Sequence, residues 1–317
     1  MGWFCALITL MLSARINAAP TLIIVTGAPG EAEFGDTFTK QAAAWKEAAT
    51  KGGARVVEIG AAAEDEKSPD VAKLRAAIAA EKPDGTDALW LVLNGHGTWD
   101  GRVARFNLRG PDVAADDLAE WLKPLKRPAA IINTASASAP FMAKLSAPGR
   151  IVITATRNGS EQNLTRFGAH FATAWTDTTA DVDTDGAISL LEAFLFASRK
   201  TTEFYKSENR LATEHALIDD NGDALGTPAE WFRGLRAVKK ADQKAATDGA
   251  AARYFYLIPS AAEKQWPEAL VQQREELEAR LAALREVKDT MKEEAYYAQV
   301  EALLLELARL HEQAEGR

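Results

Sequence analysis

Two short stretches about forty residues apart carry the side chains best suited to nucleophilic chemistry. Leu91-Val92-Leu93-Asn94-Gly95-His96-Gly97 delivers a histidine, and Ile131-Ile132-Asn133-Thr134-Ala135-Ser136-Ala137-Ser138-Ala139-Pro140-Phe141 delivers two serines. Near neutral pH an imidazole can take up and return a proton. A serine hydroxyl attacks a carbonyl only when such a base is aligned with it. His96 and Ser136 are therefore the candidate pair, and the question is whether the fold brings them together. Ser138 is the second candidate nucleophile.

A third stretch points to metal chemistry. Asp181-Val182-Asp183-Thr184-Asp185-Gly186-Ala187-Ile188-Ser189-Leu190-Leu191-Glu192 places carboxylates at positions 1, 3, 5 and 12 and a glycine at position 6. That is the pattern of the twelve-residue EF-hand loop. Asp181, Asp183 and Asp185 would supply oxygens, and Gly186 the sharp turn. Ala187 would offer its carbonyl, Ser189 would act directly or through water, and Glu192 would bind with both oxygens. Hard oxygen donors select calcium over softer metals. The plainer reading is a loop that only caps the following helix. Asp219-Asp220-Asn221-Gly222-Asp223 begins in the same way, but Ala224 replaces the turn glycine and Pro228 interrupts, so a turn is expected there.

The elements that must position these residues follow from periodicity. Thr21–Thr26, Ala54–Ile59, Ala88–Leu93, Ala129–Asn133 and Arg150–Thr156 are short apolar runs closed by small or polar residues, as buried parallel strands are. Helices are expected between them over Thr37–Thr50, from Ser68-Pro69-Asp70 with Ser68 as cap, over Pro111–Leu122 and from Pro140. Trp99–Arg109 reads as a small hairpin turning at Asp100-Gly101. The alternation implies an α/β fold, a mostly parallel sheet with helices on both faces, whose carboxyl edge is where ligands bind. Past Thr165 the chain reads as helical, with Phe167–Asp177 and Leu190–Tyr205 flanking the acidic loop. His170 on the first of these helices reads as core or surface. His215 reads as a hydrogen-bonded core histidine, the alternative being that it lines the cleft. Residues 261–317 read as a C-terminal helical hairpin. Leu270, Leu277, Leu281 and Leu284, then Val300, Leu303, Leu304, Leu307 and Leu310, mark two amphipathic helices, either packed on the domain or available for self-association.

The 317 residues are 47% hydrophobic and 26% charged, ample for a packed core. A formal net charge of −8 with no basic block excludes an electrostatic footprint for nucleic acid. Residues 1–19 read as a signal peptide cleaved after Ala18 or Ala19, although no Lys or Arg precedes the apolar core. The core is too short to span a bilayer, so no stable span is expected after its removal. The expected location is exported, periplasmic or secreted. Cys5 is the one cysteine and lies in that segment, so the mature chain would carry no thiol nucleophile and no disulfide.

His-Gly closing one strand and a small-residue motif closing the next resemble the caspase-like fold of cysteine peptidases, above all the legumain-like family. In that family the second motif runs acidic residue, Ala, Cys, any residue, Ser, Gly. Thr134-Ala135-Ser136-Ala137-Ser138-Ala139 lies over it, with Ala135 and Ser138 matching and Ser136 where the cysteine would stand. The resemblance covers residues 21 to 225 or so, within a domain expected at 20–260. It implies that His96 is the general base and acid, that Gly97 and Ser136 offer oxyanion-hole N–H groups, and that Ser136 takes the nucleophile's place. Asn94, Asp100 and Asp36 are candidates for orienting His96. Arg157 could favour an acidic group, or be an ordinary surface arginine.

The missing cysteine, Thr134 for the acid and Ala139 for the glycine all touch catalysis more than fold. The leading expectation is a non-catalytic relative that keeps a strand-end cleft for a peptide or protein ligand and carries a structural calcium. The alternative is a serine-dependent hydrolase using Ser136 and His96. Two further readings stay open: a calcium-stabilised scaffold whose helical tail recruits a partner, and an unrelated α/β domain with a fortuitous His-Gly.

Overall fold

A computed structural model describes residues 19–62, 67–242, 246–260 and 266–314. The expected export signal, Cys5 included, lies outside the described residues but for Ala19. In chain order the elements are β1 (Thr21–Thr26), α1 (Ala32–Gly52), β2 (Arg55–Ile59), α2 (Asp70–Ala79), β3 (Leu89–Asn94), β4 (Gly97–Trp99), β5 (Ala104–Phe106) and β6 (Val113–Ala114). There follow α3 (Ala115–Leu122), β7 (Ala129–Asn133), α4 (Ala139–Leu145), β8 (Arg150–Thr154), α5 (Phe167–Ala174) and α6 (Leu190–Ser207). The chain ends with β9 (Leu217–Asp219), β10 (Thr227–Pro228), β11 (Phe232–Arg233), β12 (Arg236–Ala237), α7 (Glu268–Glu286) and α8 (Glu293–Ala314).

Seven strands form one sheet in the order β10-β9-β8-β7-β3-β1-β2. The five from β2 to β8 are parallel. Beyond them β9 runs antiparallel to β8, and β10 antiparallel to β9. Alternate residues of each strand face opposite sides, and both sides are apolar because helices cover both. Leu22, Ile24, Trp90, Val92 and Ile132 pack with Trp45 of α1, Phe171 of α5 and Phe194 of α6. Ile23, Val25, Leu91, Leu93 and Ile131 pack with Leu74 of α2, Leu118 of α3 and Phe141 of α4. The expected architecture is thus the observed one, a mostly parallel α/β sheet with helices on both faces plus a C-terminal helical hairpin.

The differences are local. The stretch beyond Thr165 is not wholly helical: Leu217-Ile218-Asp219 adds a strand to the sheet and pairs in turn with Thr227-Pro228, and two or three residues are too few to show a period. Ser68 does not cap α2, because the residue in cap position is Pro69, extended at φ −63° and ψ 152°. Helix α1 begins at Ala32, five residues before the expected Thr37. Val113–Ala114 pairs with β5, so α3 starts only at Ala115.

In the hairpin, α7 ends at Glu286, a short 3-10 turn covers Lys288–Thr290, and α8 starts at Glu293. Leu277, Leu281 and Leu284 pack against Leu303, Leu307 and Leu310 in an apolar cluster of their own. Leu304, expected in this seam, is 49% exposed, because 300, 303, 307 and 310 keep the helical spacing and 304 falls off it. Among the described residues no helix is long and apolar enough to cross a membrane.

Candidate functional site

Strands β3 and β7 are parallel neighbours in register, Leu93 beside Asn133, so both end at the carboxyl edge. His96 and Ser136 follow those ends and stand on adjacent strand termini. Gly97 opens β4, whose hairpin with β5 turns back over the edge through Asp100. Gly97 is close enough to the neighbouring turn that an added Cβ would lie 2.3 Å from the Ser136 carbonyl oxygen. Only a residue without a side chain fits there.

The Ser136 side chain meets the main chain of Gly97 rather than the His96 ring. The Gly97 N–H donates to Ser136 Oγ at 3.2 Å, and Ser136 Oγ donates to the Gly97 carbonyl at 3.0 Å. Ser136 is 3% exposed. Its proton is held by a carbonyl, and the N–H expected to stabilise an oxyanion is already engaged by the hydroxyl. Ala137 takes a left-handed conformation, φ 51°, with its N–H on the Glu161 carbonyl at 2.8 Å. Ser138 is fully buried, its Oγ 3.1 Å from Thr156 Oγ1 and accepting the Thr156 N–H.

His96 is half-buried and wedged between ring edges of Phe34 and Phe38, each centroid 5.1 Å away. Burial lowers its pKa, opposed by its hydrogen bond to the Pro29 carbonyl. None of the three candidate orienting groups serves it. Asn94 donates to the Phe38 carbonyl at 2.8 Å. Asp100 accepts the Arg102 and Val103 N–H groups and pairs with Arg105, and these bonds hold it down at about 2. Asp36 is exposed and lines a neighbouring cavity of about 300 Å³.

Beside this edge lies a pair that sequence spacing did not suggest. His215 Nδ1 is 2.6 Å from Glu161 Oε1, and Arg157 Nε is 3.3 Å from the same oxygen. The Arg157 charge is thus countered. His215 also lines a cavity of about 380 Å³ between α6 and the chain after it, with Tyr205 and buried Glu214. Burial raises the Glu214 pKa against the pull of N–H donors from Arg166 and Phe167. On α5, burial lowers the pKa of His170, with Lys200 adding to it.

The acidic loop is preceded by α5 and a 3-10 turn, Thr178–Ala180, and followed by α6. Carboxylate oxygens of Asp181, Asp183 and Asp185 lie within 4.8 Å of one another, so this group could hold a metal ion. Thr184 at φ 59° and Gly186 at φ 84° make the turn, with Gly186 N–H on Asp181 and Ala187 N–H on Asp185. Asp181 Oδ1 is buried with no hydrogen-bond partner, a costly state unless a cation or water answers it. Partial burial, with Asp183, Glu192 and Asp181 nearby, raises Asp185 to about 6. Arg253 reaches Asp183 Oδ2 at 3.2 Å, and the Tyr256 hydroxyl Asp185 Oδ2 at 3.4 Å.

Glu192 is arranged differently from the other three acids. It is 1% exposed, and its oxygens accept from Val182 N, Asp183 N, Ser189 N and Ser189 Oγ, while Ser189 Oγ accepts from Glu192 N. Ser189 and Glu192 are thus the two halves of a capping box on α6. The Asp219–Asp223 segment is a turn as expected, with Gly222 and Ala224 N–H groups on Asp219.

No protein-family model matches the chain. No curated protein matches it either. Solved structures similar to it include a protein of Geobacter sulfurreducens, at 12% identity and a TM-score of 0.39, covering 57% of this chain and 89% of that one. They also include the Drosophila initiator caspase Dronc, at 12% identity and a TM-score of 0.40, covering 65% of this chain and 81% of that one. At such values neither likeness speaks to chemistry.

Proposed function

We propose that this is an exported, cysteine-less relative of the caspase-like, legumain-like peptidases, which binds a peptide or protein segment at its strand-end cleft rather than cleaving it. The observation that carries the reading is the double hydrogen bond of Ser136 Oγ to the Gly97 main chain. A nucleophile needs its proton on a base, and an oxyanion needs free N–H groups. Here the hydroxyl gives its proton to a carbonyl and occupies the N–H. The family reading is supported by His-Gly and the small-residue motif standing on adjacent parallel strand ends. In this reading residues 20–260 form the binding body and residues 261–317 an appendage.

The second part of the proposal is a calcium ion in the 181–192 loop, an EF-hand-type site. Three converging carboxylates and the unanswered Asp181 Oδ1 support it. Asp181, Asp183 and Asp185 would hold the ion, with the Ala187 carbonyl and Ser189 as further donors. Glu192 would join only by giving up its capping bonds. The single loop acts as a clip between α5 and α6, filled by the millimolar calcium of an exported setting.

The deciding experiment is labelling of the mature protein in calcium with a broad serine-reactive fluorophosphonate, the adduct mapped by mass spectrometry, beside Ser136→Ala and His96→Ala. No adduct on folded protein is the expected result. An adduct on Ser136 that disappears with His96→Ala would replace the binding reading with a serine hydrolase. For the loop, an unchanged melting temperature between millimolar calcium and chelator would remove the metal site.

A further inference from the structure

The acidic loop carries a positive charge of its own. Arg253 is not part of the twelve-residue motif; it stands 70 positions after Asp183 and places a guanidinium nitrogen 3.2 Å from Asp183 Oδ2. Its backbone has little freedom to move. It lies in the 3-10 turn Ala252–Tyr254, and buried Asp220 accepts the N–H groups of Gly249, Ala251 and Ala252 just before it. The segment continues into contact with α6, where Leu190 N–H donates to the Phe255 carbonyl and Ser189 bridges Tyr256. The turn is thus pinned on both sides, and what remains free to choose is the direction of the Arg253 side chain.

A second acid competes for it. Glu278 of α7 lies within electrostatic reach of Arg253, and the Tyr254 hydroxyl donates to the Glu278 carboxylate. Glu278 also faces Arg274, one helical turn earlier on α7, at 4.0 Å. One guanidinium therefore stands between an acid of the candidate metal loop and an acid of the C-terminal hairpin. A divalent cation among Asp181, Asp183 and Asp185 would take the Asp183 oxygen that Arg253 holds, and would repel the guanidinium beside it. Glu278 is an alternative anion within the guanidinium's electrostatic reach.

The geometry points to Arg253 as the internal occupant of the metal loop. A divalent cation displaces it toward Glu278 and so fastens the helical hairpin to the body of the protein. This rests on the metal site proposed above and adds its regulation. Two ligands compete for Asp183, one tethered and one free, and two acids compete for Arg253. Coupling of this kind is reciprocal: if the cation tightens the hairpin, the docked hairpin tightens the cation.

The reciprocity makes two single substitutions act in opposite directions. Arg253→Gln removes the tethered competitor, so calcium should bind more tightly. For a partly exposed ion pair the gain is roughly two- to five-fold. Glu278→Gln removes the alternative anion, leaves Arg253 on Asp183 and should weaken calcium binding by roughly two-fold. A residue that merely supported the fold would weaken binding in both cases or in neither.

The test is calcium titration of the full chain by calorimetry near neutral pH, for wild type, Arg253→Gln, Glu278→Gln and Asp183→Asn. Hydrogen exchange of α7 peptides is measured with calcium and with chelator. The expected result is opposite shifts for Arg253→Gln and Glu278→Gln, and slower α7 exchange in calcium that Arg253→Gln abolishes. Calcium binding by wild type with both variants unchanged, or with α7 indifferent to calcium, overturns the inference and leaves the site standing. No calcium binding by wild type overturns the site and the inference together. If Arg253→Gln does not fold, the sign of the Glu278→Gln shift decides.

Discussion

Replacing Ser136 by alanine separates the two readings of the strand-end motif through stability, without any substrate. The hydroxyl makes two hydrogen bonds to one residue, at 3.2 Å from the Gly97 N–H and 3.0 Å to the Gly97 carbonyl, with Ser136 only 3% exposed. Alanine removes both and leaves a buried Gly97 N–H facing a methyl group. A net hydrogen bond is worth about 0.5–1.5 kcal/mol, and an orphaned buried donor costs about 1–3 kcal/mol. The expected loss is therefore about 2 kcal/mol, with no cavity beyond one oxygen atom. Urea unfolding followed by tryptophan fluorescence reads this as a lower midpoint at unchanged slope. A serine kept for attack on substrate behaves otherwise, because functional groups are held at some cost to the fold and their removal is neutral or stabilising. A Ser136→Ala protein as stable as wild type, or more so, would refute the argument that this hydroxyl is a strut between strand ends.

Calcium at about 2 mM, against chelator, should stabilise the protein by about 2 kcal/mol if the loop's dissociation constant is about 10⁻⁴ M, and Asp181→Asn should abolish the gain in thermal melts. The same gain should fade as pH falls below about 6, where Asp185 takes a proton in competition with the ion. Asp248, buried on the Asp220 N–H and the Thr227 hydroxyl, is pushed by burial, and then by Asp220, to about 7. The native state then binds more protons than the unfolded chain between about pH 4 and 7. Stability should fall as pH rises through that window, by up to about 1.4 kcal/mol per unit, and Asp248→Asn should flatten the slope. Leu307→Ala in the seam of α7 and α8 should cost about 2–5 kcal/mol of hairpin stability, seen as faster exchange in both helices while β3 and β7 stay protected.

What the sequence made legible is what burial on both faces dictates. The strands β1, β3 and β7 are buried along their whole length, and their apolar runs announce them. That His96 and Ser136 share one edge follows from the alternation of strands and helices, but that they stand on neighbouring strands follows only from the pairing of β3 with β7. The chemistry between them did not follow, because it depends on main-chain atoms. Nothing in the letters says that the Ser136 hydroxyl will bond Gly97, since any serine within reach of a glycine backbone can do so. The setting of His96 was hidden for a related reason. Phe34 lies before the helix as read from periodicity and inside the helix as folded, so one wall of the imidazole's box falls outside the periodic stretch. Leu217–Asp219 escaped because a three-residue strand has no pattern, and Glu161 with His215 because 54 positions separate them.

Glu192 shows a harder kind of ambiguity. Ser189-Leu190-Leu191-Glu192 satisfies two rules at once, the last four positions of a calcium loop and the Ser-x-x-Glu of a helix capping box. Both are physically sound, and they compete for the same carboxylate oxygens. In this structure the cap prevails, with four donors on the two oxygens. An ion would have to outbid those bonds to gain its last two ligands, while three aspartates crowd together without them and one oxygen goes unanswered. The loop is thereby divided between Glu192, which is satisfied, and three aspartates that could hold a cation. A site built this way would bind weakly and would report the ion's arrival through what the cation displaces, and the cation's competitor on Asp183 is Arg253.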